Sequence, residues 1–425
     1  MYYSVRTWRV AAAGALIVFM SSLASSPTIA SDHRLSPARF PTQPGLELLL
    51  ACSALETQQT SFRDLQRQLG VVRDWQQVLG LAEHHGVIPL VYRTLRRVPD
   101  AIPAETLEDL RKRYEHNARR NLKFTAELIR ILDCLDACGI PAIPYKGPGL
   151  AETAYGDLTL REFSDLDILV RPADVPRAKV ALRDLGYSPN SPFTPAQERA
   201  YLKSGYEFVF DGPAGRNLLE IQFAILPRFY AVDFDLDAFF ERAIPASVGG
   251  RAVKSLSPED LLLVLCAHAA KHAWIRLRWL CDIAEVAQSL PLQWDVVNRR
   301  ARELGVDRML GTSLLLASRW LNARVPDSLL KRWRNDHEIA DLCNEIARQI
   351  PSAEQHSSES LDYFRLMLRL RERATDKLRF ALRLLFTPSV GEWSVVRLPE
   401  ALFWLYRVIR FFRLFLRLFT PPAAQ

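Results

Sequence analysis

Apolar residues recur every three or four positions through residues 46–50, 75–85 and 88–95, the period of a helix face, and predict a small helical subdomain over residues 45–138. Within it a longer run of the same period, carrying Leu110, Leu128, Leu132 and Leu135, extends from residue 105 until Gly139 stops it. The pattern then changes. Residues 141–145 read as a short extended segment, and Pro148 sits well in the first turn of a helix running toward Tyr155. The apolar run Ile168-Leu169-Val170 predicts a buried strand, followed by a helix over residues 175–185 that Gly186 ends. Residues 206–210 and 218–223 read as two further strands, and the turn-rich loop 211–215 between them predicts a hairpin. From Ser257 the helical period returns as a long apolar helix, with a serine N-cap, Pro258 at its first position and Glu259 and Asp260 facing its positive end. The chain thus divides into a Pro- and Ser-rich linker (31–44), the helical subdomain (45–138), a mixed core (139–256), a helical domain (257–350), a polar linker (351–360) and basic helices (361–425).

The most pointed chemistry lies in residues 146–170. Asp165 and Asp167 stand one residue apart at the start of the predicted strand, where a period of two turns both carboxylates to one side. A strand-borne carboxylate pair beside a glycine-containing turn suits Mg²⁺, which takes one or two carboxylates and fills its octahedron with water and phosphate oxygens. The plain alternative is an exposed pair at a strand edge. Lys146, with the free backbone amides of a helix start at Gly147, makes an anion site; otherwise it is a solvated turn lysine. Arg161 is either a phosphate contact or the cation that keeps the aspartates ionised.

Taken together, Tyr145-Lys146-Gly147, Tyr155, Arg161, Ser164-Asp165-Leu166-Asp167-Ile168-Leu169-Val170 and Gly186-Tyr187 resemble the DNA polymerase β-like nucleotidyltransferase superfamily. Within it they resemble a bacterial group called the nucleotidyltransferase family proteins, most of whose members have no assigned substrate. The resemblance extends more weakly over residues 44–420. It implies an α+β fold: a polymerase β-like core with a small mixed sheet, flanked by N- and C-terminal helical subdomains. The superfamily's usual Gly-Ser pair is replaced by Lys146-Gly147, further from the aspartates than usual. A third carboxylate comes from a later strand in this superfamily, and Glu220, in the run Leu219-Glu220-Ile221-Gln222-Phe223, matches that position. Its plain alternative is a cross-strand ion pair. Relatives often carry histidine where this chain has Gln222.

The resemblance further implies an enzyme that moves a nucleoside monophosphate from an NTP to a hydroxyl-bearing acceptor. Asp165, Asp167 and Glu220 are the implied catalytic residues and ligands of two Mg²⁺ (or Mn²⁺) ions. Lys146, Gly147, Arg161 and Ser164 are the implied nucleotide contacts. The helical domain is expected to close the cleft with His268, Lys271, His272, Arg276 and Asp282, the alternative being a packed, internally paired helix. His268 and His272 also have zinc-binding spacing, but Ala269 stands where a metalloprotease needs glutamate, which excludes that class. The competing reading is a catalytically inactive protein that binds nucleotide or a partner protein through the same cleft. The acceptor is open, small molecule or macromolecule.

Composition and charge alter this picture at four points. A net charge of +7 is modest for 425 residues, so it favours phosphate-bearing partners without implying nucleic acid, and no specific nucleic-acid partner is expected. Six cysteines without a CxxC pair argue against a zinc site, and four lie in apolar helical runs that suit reduced, buried thiols. Residues 1–30 combine Arg6 and Arg9, an apolar run over 10–23 and Thr28-Ile29-Ala30, the pattern of a secretory signal peptide. An NTP-dependent enzyme needs the cytoplasm, so the expectation is an over-extended start or a membrane tether, with export left open. In the last helix Arg407, Arg410, Arg413 and Arg417 share one face, too many charges for a bilayer span. That basic helix either lies on an anionic membrane surface or packs its apolar side on the helical domain.

Overall fold

The computed structural model describes residues 43–54, 60–191, 193–213, 218–350 and 361–417. The signal-like residues 1–30, most of the first linker and the whole of the second lie outside them. The chain opens with helices α1 (Pro44–Ser53), α2 (Thr60–Val71), α3 (Trp75–His85), α4 (Ile88–Leu95) and the long α5 (Ala104–Ala137). Strand β1 (Ala142–Pro144), helix α6 (Gly147–Tyr155), strand β2 (Asp165–Val170), helix α7 (Val175–Asp184), strand β3 (Ser188–Pro189), helix α8 (Pro195–Tyr201) and strands β4 (Glu207–Asp211) and β5 (Leu218–Gln222) follow. These strands form one sheet in the order β1-β2-β5-β4-β3, with β2 parallel to β5 and every other pair antiparallel. The expected hairpin is the β4–β5 pair. A two-stranded ribbon, β6 (Ile244–Val248) and β7 (Arg251–Ser255), lies beyond a short helix α9 (Leu236–Glu241). The fold is α+β, a small mixed sheet flanked by helices.

Alternation along the strands gives the sheet two unlike faces. Leu166, Ile168 and Val170 of β2, Leu219 and Ile221 of β5 and Phe208 and Phe210 of β4 point into one apolar cluster with Leu128, Ile131, Leu132 and Leu135 of α5. The opposite face carries Asp165, Asp167, Glu220, Gln222 and Glu207. The upstream part of α5 joins a different cluster, through Leu110. Thirty-four residues make this helix about 51 Å long, enough to span both cores. Between them its buried Asn117 and Asn121 donate to the backbone oxygens of Thr159 (3.2 Å), Leu158 (2.6 Å) and Arg161 (2.8 Å). Those bonds satisfy a loop that would otherwise bury bare carbonyls, and they fix the approach to β2.

The larger cluster unites the N-terminal helices with those after Ser257, so the two predicted helical regions share one core. Ser257 caps as expected, accepting from the Asp260 N–H at 3.3 Å. The long helix expected there is two: α10 (Pro258–Lys271) and α11 (Leu277–Ser289). Between them Ala273 and Trp274 adopt left-handed φ values of 50° and 51°, a conformation costing about 1–2 kcal/mol per non-glycine residue. Tertiary packing outweighs that cost: the Trp274 ring is fully buried and its N–H donates to Ser313 Oγ at 2.9 Å. The break turns α11 so that its first residues face the polar side of the sheet.

Helices α12 (Trp294–Leu304), α13 (Asp307–Leu321), α14 (Asp327–Arg334), α15 (His337–Gln349), α16 (Leu361–Arg369), α17 (Ala374–Phe386), α18 (Val390–Val395) and α19 (Leu405–Arg417) complete the chain. The expected basic face of α19 is divided. Arg410 is buried, its Nε donating to Leu384 O at 2.7 Å, and Arg413 pairs with buried Glu392 at 2.7 Å. Arg407 is exposed, and so are Trp404, Val408 and Phe412. The helix therefore packs partly through its arginines and turns part of its apolar side outward. Among the described residues no helix is long and apolar enough to cross a membrane.

Helix α6 lies so close to β1 that a methyl group on Gly149 would sit 2.7 Å from the Pro144 carbonyl oxygen. Gly149→Ala is expected to destabilise the fold by about 1–3 kcal/mol through that collision with backbone. A chemical denaturation curve measures it, and an unchanged midpoint would show that α6 has room to shift.

Candidate active site

The parallel pairing of β2 with β5 sets Asp167 directly beside Glu220, and Asp165 stands two residues earlier on the same face. Gln222, two residues after Glu220 and paired across to Glu207 on β4, completes a polar patch. Lys146 enters from above as the N-cap residue of α6, and Gly147 behind it takes φ +53°, close to Asp165 O. The Lys146 Nζ donates to Asp167 Oδ1 at 3.0 Å, although both residues are buried. The Gln222 side-chain amide donates to the same Oδ1 at 2.8 Å and to Glu220 Oε2 at 3.1 Å, while its oxygen accepts from the buried Tyr145 hydroxyl. One amide thus links two of the carboxylates.

The other wall comes from the broken helix. His268 and Lys271 of α10, His272 at its end, and Arg278 and Trp279 of α11 line the same cavity as Lys146, Arg161, Asp165, Asp167 and Glu220. The enclosed volume is about 200 Å³. The His272 ring stacks on Trp279 with centroids 4.7 Å apart, and His268 meets His272 edge-on at 4.6 Å. Lys271 donates to the Tyr206 hydroxyl at 2.9 Å. Arg161 does not pair with the strand aspartates. Its Nε and Nη2 donate to Asp282 at 2.8 and 2.9 Å, and Tyr155 donates to that same buried carboxylate at 2.8 Å.

Several expected nucleotide contacts fall elsewhere. Arg276 is the N-cap residue of α11 and is absent from the cavity lining, as are Gly147, exposed Ser164 and Asp282. Sequence reasoning missed Glu207, Tyr206, Glu162, Arg278 and Trp279, all of which line the cavity. Glu207 was legible in principle, since it alternates with the core residues Phe208 and Phe210 on a predicted strand. Arg278 was legible in the same way, since positions 271, 275 and 278 recur at helical spacing.

Residues 72–322, more than half of the chain, match the family described as Uncharacterised nucleotidyltransferase. The chain belongs to that nucleotidyltransferase family. No curated protein matches it. Two solved structures of ANT(2'')-Ia are similar to 43% of this chain at 16% identity and a TM-score of 0.33: a solution structure of that antibiotic-resistance factor, 93% of which is covered, and a crystal structure in complex with adenylyl-2''-tobramycin, 98% of which is covered.

In this member of the family the site's electrostatics are those of crowded acids. Burial, then the charges of Asp167, Glu207 and Asp165, push the Glu220 carboxyl up to about 9, with Lys146 working against them. Burial and Asp167 likewise raise Asp165, opposed by Lys146, Arg161 and Arg278. Burial disfavours the Lys146 ammonium, but Asp167, Tyr145 and Glu220 outweigh it and hold the amine charged. Burial, then Lys271 and Lys146, lower His272 to about 2, and burial with Lys146 takes His268 well down, so both imidazoles are neutral. Among the described residues no group of three or more His, Cys, Asp or Glu side chains is gathered closely enough to hold a metal ion. The donors nonetheless fit a hard divalent cation in kind: they are carboxylate oxygens whose ionisation is opposed by one another and would be relieved by added positive charge.

A raised carboxyl value has a fixed sign in its effect on stability. Glu220 contributes stability that is full below its ordinary value of 4.5 and is lost as the pH rises through about 9. In chelator, Glu220→Gln is therefore expected to melt a few degrees above the unaltered protein at pH 9 and level with it at pH 4.5. Thermal melts at the two pH values test this, and a gap of equal size at both would remove the carboxyl as its cause.

Proposed function

We propose that this chain transfers a nucleoside monophosphate from an NTP to a hydroxyl-bearing acceptor, releasing pyrophosphate. The observation that carries the reading is the register that sets Asp167 beside Glu220, with Asp165 on the same face and Lys146, Lys271 and Arg278 around them. Carboxylates alone would repel a triphosphate. Carboxylates ringed by cations suit a phosphate chain that arrives with divalent metal. Asp165, Asp167 and Glu220 are the residues that would hold Mg²⁺ or Mn²⁺, which as a pair of ions would neutralise charge on the attacking and leaving oxygens.

The chain's own residues account for the rest. Lys146 orients Asp167, since its ammonium shares Oδ1 with the Gln222 amide. Lys271, held by Tyr206, presents positive charge on the facing wall. His268 and His272, being neutral, add hydrogen-bonding capacity without further charge. The Arg161–Asp282–Tyr155 cluster holds the loop before β2 against α11 and so keeps the two walls in register. In the reaction the acceptor oxygen bonds to the α-phosphorus, the bond to pyrophosphate breaks, and the hydroxyl proton goes to a cavity carboxylate. A cavity of about 200 Å³ is below the ~300–1,000 Å³ usual for small-molecule sites. It suits the phosphate chain, with the base and the acceptor at the open mouth.

The test is incubation with each labelled NTP and Mg²⁺ or Mn²⁺, following pyrophosphate and labelled product in cell extract. Asp167→Asn is expected to reduce transfer by at least 100-fold while leaving the thermal melt of the chain within a few degrees. Retained transfer in that variant would remove the catalytic assignment. NTP binding by the unaltered chain without any transfer would favour the inactive, nucleotide-binding reading.

A further inference from the structure

Arg278 stands apart from the other cations of the cavity. Lys146 is held by Asp167, Arg161 by Asp282 and Lys271 by Tyr206, whereas the buried Nε of Arg278 has no hydrogen-bond partner. Among the described residues no carboxylate forms an ion pair with it, and its guanidinium lies 5.8 Å from the Trp279 ring centroid. A cation held at a cavity wall with an unmet donor calls for an anionic ligand.

What aims this side chain comes from the other end of the sequence. Gly86 follows α3 in a left-handed conformation, φ +67°, and the Arg278 stem lies flat on it. A methyl group on Gly86 would sit 2.8 Å from Arg278 Cδ and 3.6 Å from its Cβ and Cγ. Next to it, fully buried His85 accepts the Leu277 N–H through Nδ1 at 3.3 Å. That N–H belongs to the first turn of α11, where no earlier helical carbonyl is available to it. His85 thus anchors the helix one residue before Arg278, and Gly86 leaves the floor on which its side chain lies.

We propose that Arg278 contacts the phosphate chain of the ligand and that His85 and Gly86, from the N-terminal helices, are its positioning residues. The proposal rests on the nucleotide reading given above for the same cavity. It makes the N-terminal helical region part of the binding site, through a contact nearly 200 residues apart in sequence. Arg276 takes no part in that contact.

Calorimetric titration of the full chain with inorganic triphosphate, and with each NTP plus Mg²⁺, tests it. Arg278→Ala is expected to weaken triphosphate binding by roughly 10- to 100-fold, the worth of a charge-assisted hydrogen bond. Gly86→Ala should weaken it about tenfold in the native background and leave it unchanged in an Arg278→Ala background, where the colliding stem is gone. Gly139→Ala, at another left-handed helix end with nothing nearer than 3.9 Å to the added methyl, serves as the control for backbone strain and should bind as the unaltered chain does. His85→Ala should lose affinity, and His85→Asn, whose side-chain oxygen can replace Nδ1 as acceptor, should recover most of it. Additive losses from Gly86→Ala and Arg278→Ala, or equal losses from Gly86→Ala and Gly139→Ala, would overturn the positioning. Full-strength binding by Arg278→Ala would overturn the phosphate contact alone. An unaltered chain that takes up neither inorganic triphosphate nor any NTP would overturn the nucleotide reading, and this inference with it.

Discussion

The site depends on a problem of buried charge. Five carboxylates, Glu162, Asp165, Asp167, Glu207 and Glu220, line one small cavity, and Asp167 and Glu220 at its centre are met by the Lys146 ammonium and the Gln222 amide. Two like charges a few ångströms apart in a poorly solvated space repel by several kcal/mol, so such a group must take up protons or gather cations. The surrounding structure supplies part of the answer. Lys146 is held at a helix start by Gly147 and Gly149, where side chains would collide with backbone or oppose φ, and this brings its ammonium onto Asp167. Gln222 spreads one amide over the carboxylates of both central strands, a linkage that a histidine in a single tautomer could make to only one acceptor per N–H.

The opposite wall is built at a cost in backbone conformation. Ala273 and Trp274 hold left-handed values that their side chains disfavour, and the buried Trp274–Ser313 hydrogen bond is what the fold gains there. Without this turn α10 and α11 would form one straight rod. With it, Arg278 and Trp279 meet the cavity, and Asp282 reaches Arg161. Strain of this kind clusters where geometry matters more than stability.

These features also explain what was legible in the chain. Local chemistry could be read directly: the alternation that turns Asp165 and Asp167 to one side, the glycine stops after α5 and α7, the serine cap at Ser257, and the hairpin that brings Glu220 in. Each depends on residues close in sequence. The long helix after Ser257 was misread because its break contains neither glycine nor proline and is imposed by packing around Trp274. The sequence placed the expected cation at Arg276, whereas Arg278 lines the cavity. It also placed Asp282 on the cavity wall, whereas it lies behind it, neutralising Arg161. The C-terminal arginines were misleading for the same reason: Glu392, which draws Arg410 and Arg413 inward, is not visible as their partner from helical periodicity alone.

The Arg161–Asp282 pair has a consequence for how the molecule can be divided. Its members are 121 residues apart, and each is almost completely removed from water. A fragment ending before α11 would keep Arg161 at the end of its loop with no carboxylate to meet it. A fragment beginning at α10 would carry Asp282 without Arg161, its ion-pair partner. Either half, expressed alone, loses this pair and opens to water the surfaces that enclose it. The sheet and the helices that face it therefore share one buried ion pair, which circular permutation, keeping both halves in one chain, would preserve.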